Sequence, residues 1–546
     1  MLNEVLKKTI VDFFLERAKE YPDQTAVMDV RGAYTYGQLN WRSALLAGKL
    51  LDTCKSLGTD VKAASSEGKS GPRIAVLLPR TREYLVAFLA VIRAGCAVIP
   101  LDSDYPKERI QTIQQDADCL LFITTKALSE KTGDTPRLLT DELEDEKDAD
   151  ISLNLSNPDI EGLLIFTSGS TGKPKGVIHR QRIFSCGYAL LKGYHPFTEN
   201  DVIGCMAGFP FIASLQDLCP PLMVGGSVYI FSEKERKNTD LLFEVMRKRH
   251  ITGMFLPPQL FAVMRELYGR LPLKYVMLSG EKSKVSYPDD GNLIESYGSS
   301  ETAGVLYHWV GQDDPRLLGK PAGGARVYLL DEDGKVIDQP GEIGELCVVS
   351  PWLALGYNGL AKETEDRFIP CPFEPGERMC RSGDYMAWDE NGNLLFHGRK
   401  DRMVKLRGYR VELGEIENAL IQAAEVAEAA CIPVKVSGGD KLCCYYTGDE
   451  NADPAALKAL VKKTLPEYMV PDYFVHLDAL PRNERNKVNY LALQAMEPPA
   501  AGNRITPGSV NATGKKYGAI CPRWRNPKKP SIRPAGRFVS ASARSR

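Results

Sequence analysis

The chain has 546 residues, 43% of them hydrophobic and 25% charged, enough for more than one domain with a buried core. Its formal net charge is -1, so the molecule as a whole does not advertise an anionic partner, and no apolar run is long enough to span a bilayer. The 13 cysteines are scattered, odd in number and form no Cys-x-x-Cys pair, which reads as free thiols in a reducing cytoplasm with no zinc site.

The first predicted element is an amphipathic helix from Met1 to Glu20, where Lys7, Lys8, Asp12, Glu16 and Arg17 alternate with Val5, Leu6, Ile10, Phe13, Phe14 and Leu15. Its mixed charges are unlike a signal peptide. Segment Leu57–Gly71 is rich in Ser, Gly and Lys and reads as an exposed loop. The strands Ile74–Leu78 and Ala97–Leu101 flank a helical pattern from Arg82 to Ala94. Strand, helix, strand predicts a parallel sheet with helices on its faces. The run Leu163, Leu164, Ile165, Phe166 is a further buried strand. Helices are predicted from Glu415 to Ala430 and from Pro454 to Leu465. After Glu497, the last acid, Pro, Gly, Ser, Ala and basic residues dominate, a composition that builds no core and predicts a disordered tail.

The strand at Leu163–Phe166 runs into Thr167-Ser168-Gly169-Ser170-Thr171-Gly172-Lys173-Pro174-Lys175-Gly176. Glycines let backbone N–H groups come close to an anion, and hydroxyls and ammonium groups complete the shell. The loop is built to grip phosphate. It is not a Walker A loop, because Thr167 holds the first glycine position and Pro174 follows Lys173.

This loop resembles that of the adenylate-forming superfamily: acyl- and aryl-CoA ligases, luciferases and the adenylation domains of nonribosomal peptide synthetases. Further motifs follow in the same order. Tyr297-Gly298-Ser299-Ser300-Glu301-Thr302 resembles the adenine and magnesium motif, Arg381-Ser382-Gly383-Asp384 the ribose motif, and Gly398-Arg399-Lys400-Asp401-Arg402 the hinge. The stretch Val404–Glu417 is close to the peptide-synthetase version, and Tyr34–Leu39 and Ala94–Asp102 also match. The resemblance covers roughly residues 1–495. It implies a large α/β domain of packed sheets over 1–398, a hinge at 399–402 and a small mobile α+β domain over 403–495, with the tail at 496–546 outside the family pattern.

The implied chemistry joins a carboxylic acid to ATP as an acyl-adenylate with release of pyrophosphate, then passes the acyl group to a thiol. Thr167, Ser168, Gly169, Ser170, Thr171, Gly172, Lys173 and Lys175 would hold the phosphates, and Glu301 would bind Mg²⁺, a hard cation suited to carboxylate oxygen. Tyr297, Gly298, Ser299 and Ser300 would frame the adenine, Asp384 would accept both ribose hydroxyls, and Arg399 would contact ribose or phosphate. Lys487 matches the family's adenylation lysine, although Asn486 and Asn489 replace the usual glycine and aspartate. Gly408 would border the tunnel for the incoming thiol.

One departure bears on the substrate. Phe211-Ile212-Ala213-Ser214 stands where amino-acid-activating domains carry Phe-Asp-x-Ser, and Ile212 cannot pair with an α-ammonium. A buried ammonium without a counter-charge costs several kcal/mol. The implied acyl pocket is lined by Ile212, Ala213, Gln216, Phe255, Met277, Ser279, Ser296, Gly304 and Val305, and fits an aryl, fatty, α-keto or α-hydroxy acid. Asp217, close by, is the residue that a shift of register would bring in. The sequence reads as a stand-alone ligase that loads the phosphopantetheine of a separate carrier protein. A CoA ligase, a D-alanine–carrier-protein ligase and a degenerate adenylate-binding module are the alternatives. A membrane partner is not expected, and the basic tail is read as inert rather than as a nucleic-acid arm.

Overall fold

Two sheets carry the large domain of the computed structural model, which describes residues 2–142, 149–167, 174–280, 293–310, 316–399, 403–406, 408–436, 439–482 and 488–496. The Lys487 region from 483, the phosphate-loop tip 168–173, the hinge residues 400–402 and the tail from 497 lie outside these described residues.

The smaller of the two sheets has seven strands. Arg73–Leu77 lies between Ala97–Leu101 and Leu121–Thr124, all parallel, as the strand–helix–strand pattern predicts. Glu161–Thr167 joins Ala97–Leu101 in parallel and then turns back as Lys175–Arg180. The larger sheet has a parallel centre, made by Val202–Cys205, Ser227–Ile230, Gly253–Leu256, Tyr275–Leu278 and Leu293–Ser299. It continues through antiparallel strands, among them Ala303–Trp309 and the long strand Arg378–Trp388.

Helices Tyr36–Ser56, Arg82–Arg93 and Ser214–Val224 pack among these strands in one core. Every residue from Tyr84 to Arg93 is buried, as expected of a helix apolar on all sides. The N-terminal amphipathic pattern forms two helices, Leu2–Lys7 and Ile10–Glu20. Thr9 separates them by capping the second: it and Asp12 form a reciprocal capping box. Segment Leu57–Gly71 is not wholly a loop, because Asp60 caps a short helix, Val61–Ser66, whose Val61 is buried.

The small domain begins with the hairpin Met403–Leu406 and Tyr409–Glu412. The predicted helix from Glu415 to Ala430 is cut short. The helix runs Leu413–Ile421, and Val426–Val436 instead forms a strand along Gly439–Gly448, with Tyr473–His476 as the third strand. Helix Pro454–Thr464 is as predicted, with Asp453 as its cap. The pairing of these strands corrects the reading of all cysteines as free thiols. Cys431 and Cys444 face each other across the ladder, their Cα atoms 4.1 Å apart, and are joined in a disulfide.

Contacts between the two domains include a charged and an aromatic one. Arg109 Nη1 donates to Glu415 Oε1 at 2.5 Å, with both side chains buried. The Tyr409 ring stacks on Tyr468 at 4.2 Å and meets Phe211 of the large domain edge-on at 5.1 Å.

Candidate active site

Tyr297 and Glu301, two of the residues singled out above, lie where the small domain meets the large one. Thr167 closes Glu161–Thr167, and Lys175 opens the strand opposite it, so the two lie across from each other at the root of the phosphate loop. The tip of that loop, Ser168 to Lys173, lies outside the described residues. Lys175 Nζ sits 5.7 Å from the ring centre of Tyr357, and the Tyr357 hydroxyl donates to Glu301 Oε1 at 2.9 Å.

Glu301 stands in the turn between the strands Leu293–Ser299 and Ala303–Trp309. The turn is held by the Ser299 hydroxyl, which accepts from Glu301 N and shares a hydrogen bond with Thr302. It ends on Ala303 with φ of 57°, a left-handed conformation that costs an alanine roughly 1–2 kcal/mol. Strain of this kind persists where surrounding contacts over-determine the backbone. One such contact is His179, whose Nε2 lies 2.7 Å from the Ser300 carbonyl. Burial brings the His179 imidazole down to about 4, so at neutral pH its neutral form supports the turn.

Glu301 is 1% exposed, and its carboxylate is gripped by the small domain: Arg410 Nη1 donates to both oxygens, at 2.9 and 3.0 Å. Burial alone would raise its pKa, but the guanidinium charges of Arg410 and Arg367 outweigh burial and hold it well below the usual carboxylate range. Glu301 is therefore a fixed buried anion.

A second cluster forms around Asp384. Tyr297 donates its hydroxyl to Asp384 Oδ2, Arg399 Nη1 donates to Oδ1 at 2.5 Å, and the Ser382 hydroxyl accepts from Asp384 N at 3.0 Å. The strand pairing Asp384↔Arg399 sets this geometry. Lys405 Nζ lies 5.3 Å from the Tyr297 ring centre, and burial lowers the pKa of its ammonium group. Lys405 and Arg410 are two site residues the motif reading did not single out. Both stand on one hairpin, which in this domain arrangement covers Tyr297 and Glu301. Between them, Gly408 has φ of 81°, and its Cα lies 2.8 Å from where a Cβ on Gly280 would stand. Any side chain at either glycine meets the opposing backbone or a strained conformation.

The implied acyl-pocket residues divide. Phe255 and Met277 belong to the main core cluster, with Ile212 and Ala213 packed against it. Gln216 Nε2 donates to the Tyr307 hydroxyl at 3.1 Å, and Ser279 Oγ donates to the Ser296 carbonyl at 3.0 Å. Gly298 and Gly304 are paired across the ladder. Val305 is buried in a different cluster, with Tyr297 and Leu306. Asp217 is buried and spends both oxygens on backbone: Oδ2 accepts from Met206 N at 3.2 Å and Oδ1 from Phe255 N at 3.1 Å. Its carboxylate ties two strands together. Among the described residues no cluster of three or more His, Cys, Asp or Glu side chains is placed to hold a metal. No helix among them is long and apolar enough to cross a membrane.

The two sheets carry these motifs, and the small domain packs against them. Comparison with known proteins gives the family. Residues 14–358 match the family described as AMP-binding enzyme, and residues 415–487 match the AMP-binding enzyme C-terminal domain. The chain is 34% identical over 504 residues to surfactin synthase subunit 1 of Bacillus subtilis, covering 89% of this chain and 13% of that protein. It is 32% identical over 515 residues to tyrocidine synthase 1 of Brevibacillus parabrevis, covering 91% of this chain and 46% of that one. It thus spans less than half the length of these relatives. A solved structure of holo-PA1221, a protein with adenylation and carrier domains, shares the fold with a TM-score of 0.75 at 24% identity, over 89% of this chain and 84% of that one. The chain belongs to the AMP-binding enzyme family.

Proposed function

We propose that this chain activates a carboxylic acid lacking an α-ammonium group and delivers it to the phosphopantetheine thiol of a carrier protein. The observation that carries the substrate half of this reading is the placement of two residues. Ile212 packs on the apolar core cluster, at the position where the family resemblance implies an aspartate in amino-acid-activating domains. The nearest alternative carboxylate, Asp217, has both oxygens committed to backbone N–H groups. An α-ammonium would meet no counter-charge from either.

In the first half-reaction a substrate carboxylate oxygen attacks the α-phosphorus of ATP, the bond to the pyrophosphate oxygen breaks, and acyl-AMP forms. The geometry needed is in-line, with positive charge spread over the phosphates. Thr167 and Lys175 flank the loop that would hold the phosphates. Asp384 accepts hydrogen bonds and suits the ribose hydroxyls, with Arg399 orienting it. Glu301 fits Mg²⁺ by its chemistry, being a buried, fully ionised carboxylate, and the cation would screen the phosphate charge. In the arrangement described here both oxygens of Glu301 accept from Arg410. Arg410 must therefore withdraw for the carboxylate to serve a metal. In the second half-reaction the thiol sulfur attacks the acyl carbonyl, loses its proton and expels AMP. Gly408, pressed against Gly280, supports a role for the hairpin in this half.

ATP–pyrophosphate exchange with a panel of amino acids beside their keto, hydroxy and aryl analogues tests the first half. The reading expects exchange with a non-amino acid, and an α-amino acid as the best substrate would overturn it. Thioester formation with a holo carrier protein against free coenzyme A tests the acceptor, and preference for coenzyme A would make the chain a CoA ligase.

A further inference from the structure

Tyr307 stands on the strand Ala303–Trp309, 1% exposed, and is absent from the pocket residues the motifs point to. Yet three of those residues converge on its hydroxyl. Gln216 Nε2 donates to it at 3.1 Å. The Ser296 side chain lies beside it, and Ser296 is the residue directly opposite on the neighbouring strand. Gly304 lies under it, where any Cβ would run into the Tyr307 oxygen and come within 2.9 Å of Leu190. The backbone beneath the ring is fixed as well, since Tyr194 donates its hydroxyl to the Tyr307 carbonyl at 2.9 Å.

We propose that Tyr307 is the end wall of the acyl pocket and sets the length of acid the enzyme accepts. The proposal rests on the pocket reading given above. It follows from where the polar groups are spent. Gln216 and Ser296 would be the natural partners for a polar substrate tail, but Gln216 is bonded to Tyr307 and Ser296 stands beside the same hydroxyl. Ser279 is turned to the Ser296 carbonyl. What remains to face the acid is Ile212, Ala213, Phe255 and Met277, an apolar lining closed by an aromatic ring. Such a pocket selects a compact acid with no distal polar group. A glycine is needed at 304 because the ring occupies the volume a side chain would take.

The test is ATP–pyrophosphate exchange across straight-chain acids of graded length and benzoates with growing para substituents, for the wild type, Tyr307→Ala and Tyr307→Phe. One methylene in an apolar pocket is worth about 10- to 200-fold in discrimination. Tyr307→Ala is expected to raise kcat/KM by about ten-fold or more for acids just beyond the wild-type limit. Tyr307→Phe is expected to keep the length limit but to gain acids with a distal hydroxyl or amide, because Gln216 is released and the hydroxyl beside Ser296 is gone. If Tyr307→Ala does not fold, Tyr307→Leu shortens the wall with less loss of volume. An unchanged length limit in a folded Ala or Leu variant overturns the proposal. A crystal structure of the same variant with AMP decides independently of turnover: a void continuous with the acyl pocket supports the wall, and a void sealed from it by Leu190 refutes it. Absence of exchange with any acid in the wild type would count against the proposed function, not against the wall.

Discussion

Arg410 of the small domain holds both carboxylate oxygens of Glu301 of the large domain, at 2.9 and 3.0 Å, across 109 residues of sequence. Glu301 is buried, so removing its partner leaves a desolvated anion without its bidentate cation, with the Tyr357 hydroxyl, Ser299 and the charge of Arg367 remaining. Breaking one side of a buried pair costs about 3–5 kcal/mol. Arg410→Ala is expected to release the hairpin Met403–Leu406 and Tyr409–Glu412 from the large domain. Hydrogen–deuterium exchange should rise at the amides of that hairpin while the central strands of the large domain stay protected. Unchanged exchange in the hairpin would show that the pair does not hold it.

Lys487→Ala is expected to abolish formation of the acyl-adenylate while sparing thioester formation from supplied acyl-adenylate. Removing a charge contact made in the transition state typically costs about 10²–10³ in rate. Pyrophosphate exchange close to wild type would take Lys487 out of the mechanism.

Gly408→Leu is expected to do the reverse. The residue has φ of 81°, so a leucine strains the hairpin and projects its side chain toward Pro257 of the large domain. Thioester formation should fall and exchange should survive. Loss of exchange with thioester formation intact would place Gly408 in the wrong half-reaction.

Ile212→Asp is expected to shift preference toward α-amino acids by two effects that act together. The new carboxylate pairs with an α-ammonium, and without one it is itself buried and unpaired, at several kcal/mol or a raised pKa. Competition between an amino acid and its keto analogue measures the shift. No change in their ratio would mean that residue 212 does not face the α-carbon.

Asp217 gives a pH signature of stability. Burial raises its carboxyl to about 7, against the backbone N–H groups that stabilise the anion. The folded state then holds its proton more tightly than the unfolded chain, whose Asp titrates near about 3.9. The contribution to stability is full below that lower value and is lost as pH rises toward the folded pKa, by about 1.4 kcal/mol per pH unit at most. Urea unfolding should show stability falling over this window in the wild type, and the slope should flatten in Asp217→Asn. An equal slope in both would assign it to other groups.

Much of the candidate site could be named from the sequence because the proposed chemistry demands particular residue types in sequence order. Thr167 closes its strand, Glu301 stands in a turn between two strands, and Asp384 lies within the long strand Arg378–Trp388. What the sequence did not show depends on how distant segments meet. Lys405 and Arg410 carry no signal of their own in the sequence, and only the placement of the small domain puts them on Tyr297 and Glu301. Tyr307 reads as an ordinary core aromatic, and only its contacts with Gln216, Ser296 and Gly304 mark it out. The stretch after Ile421 is rich in Ala and Glu and reads as more helix. Its pairing with Gly439–Gly448 overrides that local preference. The same pairing brings Cys431 against Cys444, which spacing alone could not reveal.

The Arg109–Glu415 contact has a bearing on how the small domain can travel. Two leucines in its place would pack as well, and replacing a buried ion pair with apolar residues is often neutral or stabilising. Once parted, however, each leucine would expose its side chain to water at about 1.5–3 kcal/mol. A guanidinium and a carboxylate that separate are each taken up by solvent, so the open form carries no such burden. Because the joined pair is shielded, ordinary salt does little to loosen it. The contact is firm when made and forgiving when broken, a clasp suited to a small domain that parts from the large one under the proposed two-step reaction.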